Sequence, residues 1–143
     1  MIQLVRLKDD LPEGFADLQA EAEAEEHRHM SRLAKELSSG STRFEALLAA
    51  FGDGKLLGIA ALTIEPGETL EPALRMRRLY VSQAARRNGV ARSLTSALLQ
   101  EALDQVKLVT VHAGNPSADR FWEAQGFAPI EGQSWSHQLY RPE

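Results

Sequence analysis

The chain has 143 residues, 43% of them hydrophobic and 25% charged, with a formal net charge of −4. That balance belongs to a folded domain and excludes disordered and low-complexity chains. There is no cysteine, which excludes disulfide scaffolds, thiolate metal sites and a cysteine nucleophile. No apolar run approaches the roughly 18 residues of a membrane span, and Met1 to Leu7 lacks the shape of a signal peptide. The expectation is one cytoplasmic domain over residues 1–143.

Residues 2–7 alternate as a short strand. Asp10 then stands as a helix cap with Glu13 in capping-box position. Leu11, Phe15, Leu18 and Ala22 recur at helical spacing, followed by Met30, Leu33, Ala34 and Leu37 up to Ser38-Ser39-Gly40. The pattern leaves open one bent helix or two. Residues 43–51 and 55–64 read as strands joined at Gly52-Asp53-Gly54, a hairpin. Glu65 to Glu68 is a turn, and residues 74–81 form the next strand. Residues 89–105 carry Val90, Leu94, Ala97, Leu98 and Ala102 as an amphipathic helix. A β-branched strand covers 108–111. Asn115 caps a helix with Pro116 in its first position, closed by Gly126. Residues 127–130 and 135–140 form a last pair of strands. Strands alternating with helices in the second half imply an α/β sheet with parallel pairing there.

Two local features carry chemistry. From residue 72 to residue 100 there is no Asp or Glu, yet Arg75, Arg77, Arg78, Arg86, Arg87 and Arg92 supply half of the chain's arginines. A basic segment in an acidic chain suits a local anionic ligand, with a solvated charged face as the alternative. Within the strand, Leu74 and Met76 are apolar on even positions, Leu79 and Val81 on odd ones. A β-bulge at Arg77-Arg78 would restore one buried face. Downstream, Arg86-Arg87-Asn88-Gly89-Val90-Ala91-Arg92 precedes the long helix. The unpartnered amides of a helix N-terminus, the dipole, a glycine for close approach and three arginines make an anion site suited to a pyrophosphate. Neither G-x-x-x-x-G-K-[ST] nor G-x-G-x-x-G is present.

Arg86-Arg87-Asn88-Gly89-Val90-Ala91 resembles the R/Q-x-x-G-x-G/A acetyl-CoA loop of the GCN5-related N-acetyltransferase (GNAT) superfamily. Leu79-Tyr80-Val81 is similar to the end of that family's fourth strand. Asn115, Ala118, Trp122 and Gly126-Phe127 resemble its second motif, N-x-x-A-x-x-x-Y-x-x-x-G-F. The order of elements matches over essentially the whole chain. The resemblance implies the GNAT fold, a mixed seven-stranded sheet with flanking helices and a V-shaped splay between the fourth and fifth strands. It implies acetyl-CoA as co-substrate, no metal, and transfer of the acetyl group to a primary amine by direct attack. Leu79, Tyr80 and Val81 would line the pantetheine arm. Arg86, Arg87, Asn88, Gly89, Val90, Ala91 and Arg92 would hold the pyrophosphate, and Asn115 would reach the cofactor from across the cleft. A backbone N–H near Leu79 would polarise the thioester carbonyl. Partners would be the cofactor and an amine acceptor, without nucleic acid or membrane; homodimers are common in the family.

Three positions depart from the family pattern. Trp122 stands where a Tyr usually protonates the leaving thiolate, Thr110 stands for one branch's Glu, and Arg75 for another's. The candidates to handle protons instead are His112, which shares a strand face with Thr110, Glu65 at the end of the third strand, and Tyr80. Loss of the family's ionisable groups keeps a second reading open, a catalytically impaired acyl-CoA-binding module. His27 and His29 are two apart on a helix and do not face each other as metal ligands would. The acidic run Glu21, Glu23, Glu25 and Glu26 reads as a solvated helix face or a wall that attracts a cationic amine. The Arg75-Arg77-Arg78 cluster points instead to an acceptor bearing a carboxylate or phosphate.

Overall fold

The computed structural model describes residues 1–143. In chain order its elements are β1 (Ile2–Arg6), α1 (Phe15–Ala24), α2 (His29–Ser39), β2 (Ala46–Gly52), β3 (Lys55–Ile64), β4 (Ala73–Val81), a 3₁₀ turn (Gln83–Ala85), α3 (Val90–Gln105), β5 (Leu108–Val111), α4 (Pro116–Ala124), β6 (Ala128–Pro129) and β7 (His137–Tyr140). The seven strands form one mixed sheet in the order β1-β2-β3-β4-β5-β7-β6. All neighbours are antiparallel except β4 and β5. No helix is long and apolar enough to cross a membrane.

The β2–β3 hairpin forms as its sequence dictates. Gly52 pairs with Lys55, so the loop is Asp53-Gly54, and both take positive φ (51° and 76°). That is the turn whose twist matches the strands it joins. The first helical segment is two helices. Glu26 enters the left-handed region at φ 61°, and the carbonyl of Ala22 accepts from both Glu25 and His27, so the chain turns out of α1 before α2 begins. The capping box expected at Asp10 and Glu13 does not form. Gly14, at φ 89°, is the N-cap, and a Cβ there would lie 3.3 Å from the Cβ of Leu56. Close packing of this glycine on β3 sets the helix start. At the other end of the chain, Asn115 caps α4 as expected, its Oδ1 accepting from the N–H of Ala118 at 2.9 Å. The final strands are shorter than their apolar pattern suggests: Trp135 is buried yet lies outside β7, its Nε1 donating to Gln138.

Helices cover both faces of the sheet. Leu48, Leu62, Leu74, Met76, Leu94, Leu98, Val109 and Trp122 belong to the core under α3 and α4. Phe15, Leu18, Met30, Leu33, Leu47, Ile59 and Tyr80 belong to the core under α1 and α2. Because both faces are buried, β2 and β3 read as continuous apolar runs.

The bulge in β4 is present. Arg77 pairs with Ala61 and Tyr80 with Ile59, so Arg78 and Leu79 together oppose Ala60. Arg78 takes φ 60°, a left-handed conformation that lets the strand absorb the extra residue. Beyond it, Val81 rejoins Leu74 and Met76 in the α3-side core, with Leu79 packed against it. β4 meets β5 only over Ala73–Arg75, opposite Leu108–Thr110. From Met76 onward the two strands part, which opens the V. Gly58 keeps the far end of this region tight: a Cβ there would fall 2.9 Å from the carbonyl oxygen of Tyr80 and 3.3 Å from Val90, the first residue of α3.

Candidate functional site

The loop between β4 and α3 is built from backbone. Gly89, at φ 82°, is the N-cap of α3, and Arg87 also lies in the left-handed region at φ 68°. The N–H of Arg86 donates to Gln83 and that of Ser93 to Gly89. Between them the six consecutive amides from Arg87 to Arg92 donate to no protein acceptor. A Cβ on Gly89 would meet nothing within 4 Å. Glycine is therefore required by the dihedral angle, and the space above the loop is open. The side chains of Arg87, Asn88 and Arg92 are exposed.

The edge of β4 that faces the gap is also available. The N–H of Ser82 donates to the carbonyl of Leu57, so Ser82 and Tyr80 direct their backbone groups at β3. By alternation, Leu79 and Val81 direct theirs into the V. The side chain of Arg86 confirms the direction at Val81, its Nε reaching that carbonyl at 3.1 Å.

On the opposite face, carboxylates of α1 hold this loop. Glu25 accepts from both terminal nitrogens of Arg86, at 2.9 and 2.6 Å. Glu21 accepts from the Ser82 hydroxyl at 3.1 Å and from the Gln83 amide at 2.7 Å. The Tyr80 hydroxyl lies between them, donating to Glu25 and 3.1 Å from Glu21. Bonds from Arg86 and then Tyr80 pull the Glu25 carboxyl down to about 2. Burial and these carboxylates push the Tyr80 hydroxyl well above the usual phenol range. The Tyr80 hydroxyl is thus engaged by the two carboxylates of this face. The reading of Glu21 and Glu25 as a solvated face or acceptor wall is corrected: they brace the loop. Arg86 holds α1 with its guanidinium, which leaves Arg87 and Arg92 as the loop's unpaired cations.

Further down the same face, Glu65 is buried. Its Oε1 accepts from Arg75 Nε at 2.7 Å and from the Thr110 hydroxyl at 2.7 Å, and its Oε2 accepts from the Gly67 amide. Its side chain is 1% exposed, so no acceptor amine reaches it, and its candidacy as a base is corrected. It forms the floor where β4 and β5 last touch. His112 lies just past the end of β5 and is exposed. Asn115 uses Oδ1 for its cap, leaving its amide nitrogen free. A separate polar hollow of about 370 Å³, lined by Arg6, Lys8, Glu36 and Phe44 among others, lies toward the β1–β2 edge, away from the V.

Against models of protein families, residues 8–127 match the acetyltransferase (GNAT) family. The chain belongs to that family. Among solved structures, a candidate acetyltransferase from Exiguobacterium sp. 255-15 superposes with a TM-score of 0.86 at 20% identity, covering 98% of this chain and 93% of that one. The Escherichia coli GNAT protein YhbS, solved in complex with CoA, gives 0.69 at 20% identity, over 98% and 81%. A mutant AtaT toxin bound to acetyl-CoA and the C-terminus of its antitoxin AtaR gives 0.74 at 17%, over 99% and 92%. A search of curated protein sequences finds no match.

Within this GNAT chain the departures from the family motif have structural roles. Trp122 is 7% exposed and packs edge-to-face with Phe121 and Phe127, with ring centroids at 5.0 and 5.3 Å. Thr110 and Arg75 both bind Glu65. Sequence reasoning missed Glu36, which closes on Arg78 with two bonds of 2.9 and 3.0 Å across 42 residues of sequence.

Proposed function

We propose that this GNAT chain moves an acetyl group from acetyl-CoA to a primary amine of a small molecule or peptide, with residues 1–143 acting as one transferase domain. The observation that carries this reading is the run of six free amides from Arg87 to Arg92 above an open Gly89. Such a run suits a diphosphate. From there the backbone of Leu79 and the N–H of Val81 would pair with the pantetheine arm as a further strand would, the Val81 carbonyl being held by Arg86. An N–H near Leu79 would polarise the thioester carbonyl, and the Asn115 amide would approach from across the cleft. The amine nitrogen forms the C–N bond as the C–S bond breaks, and the sulfur leaves as thiolate. The ammonium proton passes to water, with His112 as the proposed proton acceptor at the cleft mouth. Holding the two reactants in line supplies much of the rate, on the order of 7 kcal/mol or more.

Acetyl-CoA binding followed by thermal shift, and thiol release with a panel of amines, tests the reading. Gly89→Glu should lower acetyl-CoA affinity by about 100-fold or more, since it sets a carboxylate on the phosphate seat. Undiminished affinity refutes the site. The second reading, an acyl-CoA-binding module, is favoured by Trp122 standing in the core where the family has its acid; tight binding without thiol release from any amine would establish it. His112→Ala should lower kcat at saturating acetyl-CoA and flatten its pH profile. An unchanged profile removes His112.

A further inference from the structure

Three arginines of β4 point toward α1 and α2, and the fold answers two of them. Arg75 is closed by Glu65 and Arg78 by Glu36. Arg77 has no carboxylate within ion-pair distance, and its Nε is buried without a partner. His29 Nδ1 is a second buried nitrogen without a partner. Burial, then Arg78 and Arg75, push the Arg77 guanidinium down from its ordinary range. Burial and the surrounding His27, Arg78, Arg32 and Arg77 push His29 down to about 4. The ring is then neutral at pH 7, and of the three β4 arginines only Arg77 carries a charge with no carboxylate at ion-pair distance.

The position of Arg77 gives that charge a use. The parallel register sets Arg75 opposite Thr110. Had the strands stayed together, the next pair on this face would be Arg77 and His112. Arg77 therefore stands just past the last paired residue, at the apex of the V.

We propose that Arg77 determines acceptor specificity by binding the carboxylate of an amine substrate, so that the amine end turns toward the gap between β4 and β5. This inference rests on the acetyl-transfer reading above. One guanidinium fork matches a monoanionic carboxylate in shape and charge. A phosphate dianion would leave a charge unmatched, because Arg75 and Arg78 are already engaged. The Arg75–Glu65 and Arg78–Glu36 pairs on either side fix the strand that presents Arg77.

The test is calorimetric binding to the protein with and without CoA. The probes are β-alanine and the common L-amino acids, each against its methyl ester, together with O-phosphoethanolamine. At least one acid should bind about tenfold or more tightly than its ester. Arg77→Met should abolish that preference while acetyl-CoA affinity stays within about twofold. Arg77→Lys should restore part of it. No preference anywhere in the panel, or a preference that survives in Arg77→Met, overturns the proposal, and tighter binding of O-phosphoethanolamine than of every acid overturns the carboxylate class. An acid preference that depends on Arg77, in protein that transfers no acetyl group, supports the contact and refutes the acetyl-transfer reading instead.

Discussion

The β4–α3 loop and the arginine face of β4 are both basic and adjoin in sequence, but they are built in opposite ways. In the loop, two arginines extend into solvent and the proposed binding groups are amides fixed by the left-handed residues Arg87 and Gly89. On the strand face, guanidinium groups lie half-buried or buried, and Arg75 and Arg78 are each matched to a carboxylate. A site made of backbone needs only the right dihedrals over a few residues. A site made of buried charge needs partners delivered by the whole fold.

The sharpest way to break this comparison is to remove a partner on the strand face. The side chains of Arg78 and Glu36 are 9% and 16% exposed. Arg78→Ala leaves Glu36 half-buried with only Thr42 donating to it, and should cost about 3–5 kcal/mol in urea unfolding. Replacing both, as Arg78→Met with Glu36→Leu, should recover most of that loss, because an apolar pair is not left with an orphaned charge. Equal losses in the single and double variants would show that the pair contributes packing alone. Arg87→Lys or Arg92→Ala should leave stability within about 0.5 kcal/mol, since neither side chain has a partner in the fold.

The same contrast explains what the sequence reveals. The bulge was legible because the phase of Leu74, Met76, Leu79 and Val81 changes within a single strand. The loop was legible because a glycine, a helix start and a cluster of arginines occur within seven residues. The carboxylate partners were not. Glu25 meets Arg86 across 61 residues, Glu36 meets Arg78 across 42, and Glu65 meets Thr110 across 45. Each reads locally as an ordinary acidic side chain on a helix or turn. Only tertiary packing, of α1 and α2 on β4 for Glu25 and Glu36 and of β4 beside β5 for Glu65, decides which of them is buried and against what. The start of α1 was misread for a related reason: Asp10 and Glu13 satisfy the local capping rule, while the contact of Gly14 with Leu56 is a tertiary one.

A smaller effect separates the two regions by pH. Contrary to the expectation for a continuous helix, His27 lies in the turn between α1 and α2, and its ring meets that of His29 at 4.6 Å. Burial, with His27, Arg78, Arg32 and Arg77, holds His29 down to about 4, against the usual 6.5. Its depressed value means that the unfolded chain takes up a proton before the folded one does. Stability from this source is full above about pH 6.5 and falls as pH drops toward about 4. The loss should reach about 3 kcal/mol, and His29→Gln should remove it from the urea midpoint measured across that range. A ligand carboxylate on Arg77 should raise the His29 value, because it offsets one of the cations that lower it.

The smallest effect tests how the loop is held. Glu25 is lowered from 4.5 to about 2 by Arg86 and then Tyr80. A depressed carboxyl stabilises the fold above its unfolded value, so this contribution is present above about pH 4.5 and is lost as pH falls toward about 2. Both side chains are partly open to water, at 29% and 42%, so solvent screens most of the attraction. Glu25→Gln should therefore change stability at pH 7 little and flatten the acid limb. Its larger consequence is geometric. Without Glu25, Arg86 is freed from α1, and the residues that set Arg87 and Gly89 in their left-handed conformations lose one anchor while keeping Glu21. Acetyl-CoA affinity should fall a few-fold, far less than for Gly89→Glu, because the amides remain and only their order is loosened. If Glu25→Gln weakened binding as severely as Gly89→Glu, the loop would owe its shape to α1, and the backbone character assigned to it here would be wrong.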